Sequence, residues 1–255
     1  MCAPNRKKDS AVLLVVLSLL LVLETRLLPA QIPDTFKNLQ VLPKDIGKQE
    51  LVAMMRSFAG GLGVRCQHCH IGEEGKSLSE FDFVSDEKNT KQTARIMMRM
   101  VQALNQEHLP KIAARASPPM QVNCVTCHRG QNRPRMLEEI LLEAILAQGV
   151  QAGIQEYRTR REKYYGSFVF DFRERVLLNL AQQLQATGKN DDALEMLKLN
   201  SEFYPDSWMN HLQMAELYLA KGEKILAIAH YKKSLASNPN NPPVQKKLEE
   251  LLAGE

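Results

Sequence analysis

Apolar residues recur at helical spacing along most of the chain. Between Lys48 and Phe58, the positions Leu51, Met54, Met55 and Phe58 mark one face of a helix running from about Gly47 to Phe58. Asp45 stands where an N-cap would start it, and Gly60, Gly61 and Gly63 follow as its stop. Residues 31–47 hold Pro33, Pro43 and Gly47 with apolar anchors at Phe36, Leu39, Val41 and Leu42, the pattern of an extended leader. Residues 71–89 are polar and read as loop, with Phe81 and Phe83 as exceptions. A second helix is predicted from about Thr90 to His108, its apolar face marked by Ala94, Met97, Val101 and Leu104. Pro110, Pro118 and Pro119 bracket another loop. After about Met136 the pattern is wholly helical.

That last region repeats itself. Ala181 answers Ala215, Gly188 answers Gly222, Ala193 answers Ala227 and Pro205 answers Pro239, a period of 34 residues. Small residues at helix crossings and a proline closing each pair resemble the tetratricopeptide repeat. Such repeats stack helical hairpins into a solenoid with a concave docking face. An earlier helical pair, around Ile140 to Tyr165, reads as a degenerate repeat. Trp208, Tyr204, Tyr218 and Tyr231 read mainly as packing between these helices, and His211 and His230 as ordinary helix residues.

Composition adds little to the helical picture, whereas the cysteines change it. Of five cysteines in 255 residues, four fall in two pentapeptides, Cys66-Gln67-His68-Cys69-His70 and Cys124-Val125-Thr126-Cys127-His128. Both read C-x-x-C-H, the attachment signature of c-type haem. Two thiols one helical turn apart add to the vinyl groups of a haem, and the following histidine reaches the iron from the proximal face. A zinc site would use paired cysteines but leaves the trailing histidines unexplained, and a thioredoxin-like pair would need a strand pattern that neither motif has. Two covalent haems are therefore expected, on Cys66 and Cys69 with His70, and on Cys124 and Cys127 with His128. Methionines just upstream supply candidate sixth ligands: Met54 or Met55 for the first haem, and Met97 or Met100, three residues apart on one side of a helix, for the second.

Charge excludes one class of partner. The first 30 residues hold four of the 33 basic and two of the 29 acidic residues, which leaves the remainder nearly balanced and argues against nucleic acid. Arg6, Lys7 and Lys8 precede an apolar run from Ala11 to Leu23, followed by Pro29-Ala30. This is the layout of a signal peptide over residues 1–30, implying export to a periplasm or beyond. An uncleaved segment would instead tie the protein to a membrane.

The cytochrome half also resembles a known family, the cytochrome c subunit of photosynthetic reaction centres and its relatives. The stretches "FKNLQVL" (Phe36 to Leu42), "DEKNTKQTARIMMRMVQALN" (Asp86 to Asn105) and "VNCVTCHRG" (Val122 to Gly130) carry the resemblance. It implies His/Met ligation, with Met97 matching the methionine of the second haem and Met55 that of the first, Met54 remaining the alternative there. Photosynthetic members carry four haems, and this chain has motifs for two. Lys111 holds the place of the family histidine that crosses to a distant haem, so His108 reads as a surface residue.

Taken together, an all-α protein is expected. A signal peptide (1–30) precedes a dihaem cytochrome c domain (31–135) and a tetratricopeptide-like helical repeat domain (136–255). Its expected function is outer-sphere electron transfer between redox partner proteins, with a protein partner docked on the repeats. The alternative is a dihaem peroxidase or reductase, which would need an open iron site and a distal acid–base group. Only Glu107 and His108, at one end of a methionine helix, offer such a group.

Overall fold

The computed structural model describes residues 32–112 and 118–253. The expected signal peptide, Cys2 and part of the loop between Pro110 and Pro118 lie outside these residues. Among the described residues the structure is helical, with one isolated antiparallel bridge between Ile71 and Asp82. The chain divides into two compact units at Asn132/Arg133.

The first unit has two long helices, α1 (Lys48–Leu62) and α2 (Asn89–Ala103), and one short one, α3 (Cys124–His128). Helix α1 starts from Gly47 rather than Asp45, with Glu50 in its first turn facing the positive end of the helix dipole. It also runs four residues further than its apolar face suggests. Gly60 and Gly61 lie inside it, and Gly63 closes it in the left-handed region (φ 66°). There Gly63 N–H bonds Gly60 O and Val64 N–H bonds Ala59 O, a Schellman-type ending. Helix α2 keeps α geometry only to Ala103; residues Leu104–His108 widen into a π turn. His108 is exposed in that turn.

The first unit buries few apolar side chains. Among its described residues Ile46 and Leu51 are the buried apolar side chains, and the buried residues of α2 are the cations Lys91 and Arg95. Most other apolar positions, Met54, Met55, Phe58, Phe83, Met97 and Val101 among them, are half-buried. A polypeptide of this size normally encloses a core of its own. Here most of the apolar side chains stay half-exposed.

The second unit encloses a continuous core. Its helices are α4 (Leu137–Gln148), α5 (Val150–Tyr164), α6 (Glu174–Ala186), α7 (Asn190–Phe203), α8 (Trp208–Ala220), α9 (Lys224–Ser237) and α10 (Pro242–Ala253). Consecutive helices pair as hairpins: α4 with α5, α6 with α7, α8 with α9. Helices α8 and α9 begin and end 34 residues after α6 and α7. Leu141, Leu180, Leu184, Leu197, Ala193, Ala215 and Ala227 lie at or near zero exposure, so the small residues of the repeat pattern sit where helices cross. Tyr218 and Tyr231 are buried. One polar network crosses this core: Asn200 Nδ2 donates to Asn210 Oδ1 at 3.1 Å, and Asn210 Nδ2 donates to Leu197 O at 2.9 Å. These bonds tie α7 to α8, although Asn200 Oδ1 itself is buried without a hydrogen bond.

Candidate haem centres

Each C-x-x-C-H pentapeptide forms one compact turn. In the first, Cys66–His68 is a 3₁₀ turn, with Cys69 N–H and His70 N–H both bonding Cys66 O at 3.2 and 3.0 Å. In the second, the whole motif is α3. Asn123 caps it: its side chain accepts from Thr126 N–H at 3.3 Å, and Thr126 Oγ1 accepts from Asn123 N–H at 3.1 Å. Arg129 ends it in the left-handed region (φ 50°). Both turns therefore bring two thiols to adjacent positions with a histidine directly behind. None of the four described cysteines is in a disulfide. Among the described residues no three His, Cys, Asp or Glu side chains converge as a zinc site would require.

The histidines differ in their surroundings. His128 Nδ1 lies 2.8 Å from Gln131 O. A carbonyl only accepts, so Nδ1 carries the hydrogen and Nε2 keeps its lone pair, the tautomer an iron ligand needs. His70 is packed edge-on against Phe83, ring centroids 4.9 Å apart, and its Nδ1 is buried without a hydrogen bond. Burial, followed by the charges of Lys91 and Lys88, lowers its pKa to about 4, so it is neutral at pH 7. Burial also pushes the Cys69 and Cys124 thiols up; at Cys69 a Thr90 hydrogen bond and the two lysines oppose this.

Helix α2 holds both motifs. At its start, Lys88 Nζ bonds Gln67 O and Thr90 Oγ1 bonds His68 O, inside the first pentapeptide. Past its end, Asn105 Nδ2 donates to Val122 O at 2.7 Å and Asn105 Oδ1 accepts from Val122 N–H at 2.8 Å, two residues ahead of Cys124. Helix α1 meets the second motif. Gly130 N–H bonds Gly61 O at 2.9 Å, and a Cβ built on Gly61 would lie 3.0 Å from Cys124 Cβ. The glycines read from sequence as a turn thus permit a close approach as well. Sequence reasoning paired α1 with the first motif and did not anticipate that its end docks on the second.

The candidate methionines take graded positions. Met54 and Met55 are both half-buried on α1, Met97 is half-buried on α2, and Met100 is exposed (44%). Two thiols per turn, a histidine behind each pair, thioether donors on the long helices and half-buried apolar side chains suit a large, flat, apolar group with a soft axial site. The residues fit c-type haem.

A family model described as the photosynthetic reaction centre cytochrome C subunit matches residues 29–194. The chain belongs to that family. Members of a cytochrome c family hold haem covalently on C-x-x-C-H motifs such as the two described above. The match exceeds the resemblance legible by eye, since it continues through α4, α5 and α6 into α7. Among curated proteins, this member of the reaction centre cytochrome family is 36% identical over 111 residues to cytochrome c-554 of Chloroflexus aurantiacus. That segment is 42% of this chain and 23% of the relative, so the chain spans about a quarter of the relative's length.

Several residues of this site escaped sequence reasoning. Lys88 and Asp86 fall in the stretch 71–89 that reads as loop and within the family stretch, and Thr90 and Lys91 at the start of the helix expected from about Thr90. The available signal was the spacing of Lys91 and Arg95, i and i+4, which places two cations on one side of α2. The pairing of His211 with His230 was also missed: Nδ1 atoms 3.2 Å apart join α8 to α9, with Tyr218 stacked on His230. A separation of 19 residues carries no local pattern.

Proposed function

We propose that this chain is an exported dihaem c-type cytochrome that transfers electrons by an outer-sphere route between protein partners. Cys66 and Cys69 hold the first haem and His70 is its proximal ligand; Cys124, Cys127 and His128 do the same for the second. Met55 and Met97 are the distal ligands, Met54 and Met100 the alternatives. The observation that carries the reading is the pair of C-x-x-C-H turns, with His128 fixed by Gln131 O in the metal-binding tautomer. Bound there, each haem supplies a one-electron iron couple. The chain's own part would be to orient the imidazoles, through Gln131 O at His128 and the Phe83 ring at His70, and to offer a thioether from the methionine helices. His/Met ligation leaves no open coordination site and raises the potential. The second unit, with its 34-residue helical hairpins, is proposed as a tetratricopeptide-like docking surface for a protein partner.

Mass spectrometry of the protein produced in a cytochrome-maturing host tests the core of this reading. The expected increment is two haems, with low-spin iron in both oxidised sites. An increment of one or none defeats it. High-spin iron with peroxide turnover would favour the enzymatic alternative instead.

A further inference from the structure

The first motif has a charged neighbour that the ligand set does not use. Lys91 and Arg95 on α2 are 8% and 7% exposed. Lys91 Nζ donates to Phe83 O at 2.9 Å, Val84 O at 3.1 Å and Ser85 O at 2.6 Å, and pairs with Asp86 Oδ1 at 3.1 Å. Arg95 pairs with Asp86 Oδ2 at 2.9 Å and donates to Asn38 O at 3.2 Å. Asn38 Nδ2 in turn bonds Asp86 Oδ1 at 2.9 Å. The loop that Lys91 gathers carries Phe83, whose ring packs on His70. Lys88 Nζ bonds Gln67 O within the motif itself. Two buried cations therefore share one carboxylate and leave a net positive charge beside the first motif, with Lys88 adding to it and the exposed Asp82 opposing it.

We propose that Lys91 and Asp86 set the reduction potential of the first haem, as positioning residues acting through charge rather than as ligands. This rests on the dihaem reading above. Oxidised haem carries one more positive charge than reduced haem, so a net cation in a weakly screened interior favours the reduced form. Lys91 raises the potential, and Asp86 lowers it by neutralising part of that charge.

The test is a potentiometric titration of the full-length protein with both haems attached. The first-haem component is identified by its loss in a variant with Cys66→Ala and Cys69→Ala. Lys91→Gln should lower that component by about tenfold in its redox equilibrium, close to 59 mV for a one-electron couple. Asp86→Asn should raise it, Lys91→Arg should leave it near the parent value, and the second component should stay in place throughout. Both Lys91→Gln and Asp86→Asn break the same ion pair, so a purely structural role moves them in the same direction. Shifts of equal sign, no shift, or a shift confined to the second component would overturn the proposal. Should mass spectrometry of the parent protein show no haem on Cys66 and Cys69, the dihaem reading falls first and the tuning with it. Equal-sign shifts in a protein with two haems by mass defeat the tuning alone.

Discussion

At the scale of single residues, the environment of a side chain decides which of its chemistries is available. His128 and His70 have the same place in the same motif. One is oriented by a backbone carbonyl at 2.8 Å, whereas the other is held by an aromatic edge and burial. Met97 and Met100 share a side of α2, but Met97 is half-buried and Met100 more exposed. Replacing Met97 with Ala should therefore convert the second haem to a high-spin or water-ligated form in visible and EPR spectra, while Met100→Ala leaves it low-spin. The opposite pattern would transfer the ligand role to Met100. A second residue-level prediction concerns His211 and His230. His211 Nε2 lies 2.9 Å from Pro205 O and so donates to it; its Nδ1 then accepts from His230 Nδ1. Burial is the first cause lowering both pKa values, with His211 and then Lys233 adding at His230, which falls to about 4. The unfolded chain takes up these protons near pH 6.5. Stability from the neutral pair is thus complete above about 6.5 and is lost as the pH falls toward 4. Thermal unfolding of the second unit should show this loss between pH 7 and pH 5, and His230→Gln should flatten the dependence.

At the scale of elements, the two long helices of the first unit act as connectors. Helix α2 is anchored to the first motif at its start and, through Asn105, to the second beyond its end. Helix α1 brings its glycine-rich end against α3. Gly63 is doubly constrained, being left-handed and so close to Gly130 that a Cβ would lie 1.9 Å from its carbonyl oxygen. Gly63→Ala should lower the yield of doubly haem-loaded protein and destabilise the first unit, by about 2 kcal/mol or more in denaturant unfolding. Asn105→Ala removes two hydrogen bonds to Val122 and leaves backbone groups to be paired again, a cost of about 1–3 kcal/mol. Its expected signature is a perturbed second haem with the first unchanged, read from the two-component spectrum.

At the scale of the whole molecule, the two units are stabilised by different means. The second depends on ordinary side-chain packing around Leu141, Leu180, Leu184 and Leu197. The first has Ile46 and Leu51 as its buried apolar residues among those described, and buried cations on α2 held by Asp86 and backbone carbonyls. Leu197→Ala should lower the second unit's stability by about 2–5 kcal/mol, measured by helical circular dichroism on unfolding, and leave the haem absorption bands in place. Equal loss of both signals would mean that the units unfold together. Among the described residues no helix is long and apolar enough to cross a membrane.

Local chemistry by itself determined the two C-x-x-C-H motifs, the helical period and the positions of α1, α2 and the 34-residue hairpins. Haem attachment depends on cysteines three residues apart with a histidine next in the chain, and amphipathic helices on neighbours three and four apart. The family resemblance was legible from short stretches for the same reason, although the match runs further, to residue 194. Tertiary structure decided the rest. It placed Gly61 against Cys124, Asn105 on Val122, Lys91 and Arg95 on Asp86, and His211 on His230. Each of these joins groups that share no helical turn, so only the packing of distant segments could show whether a lysine faces solvent or is buried behind a haem motif.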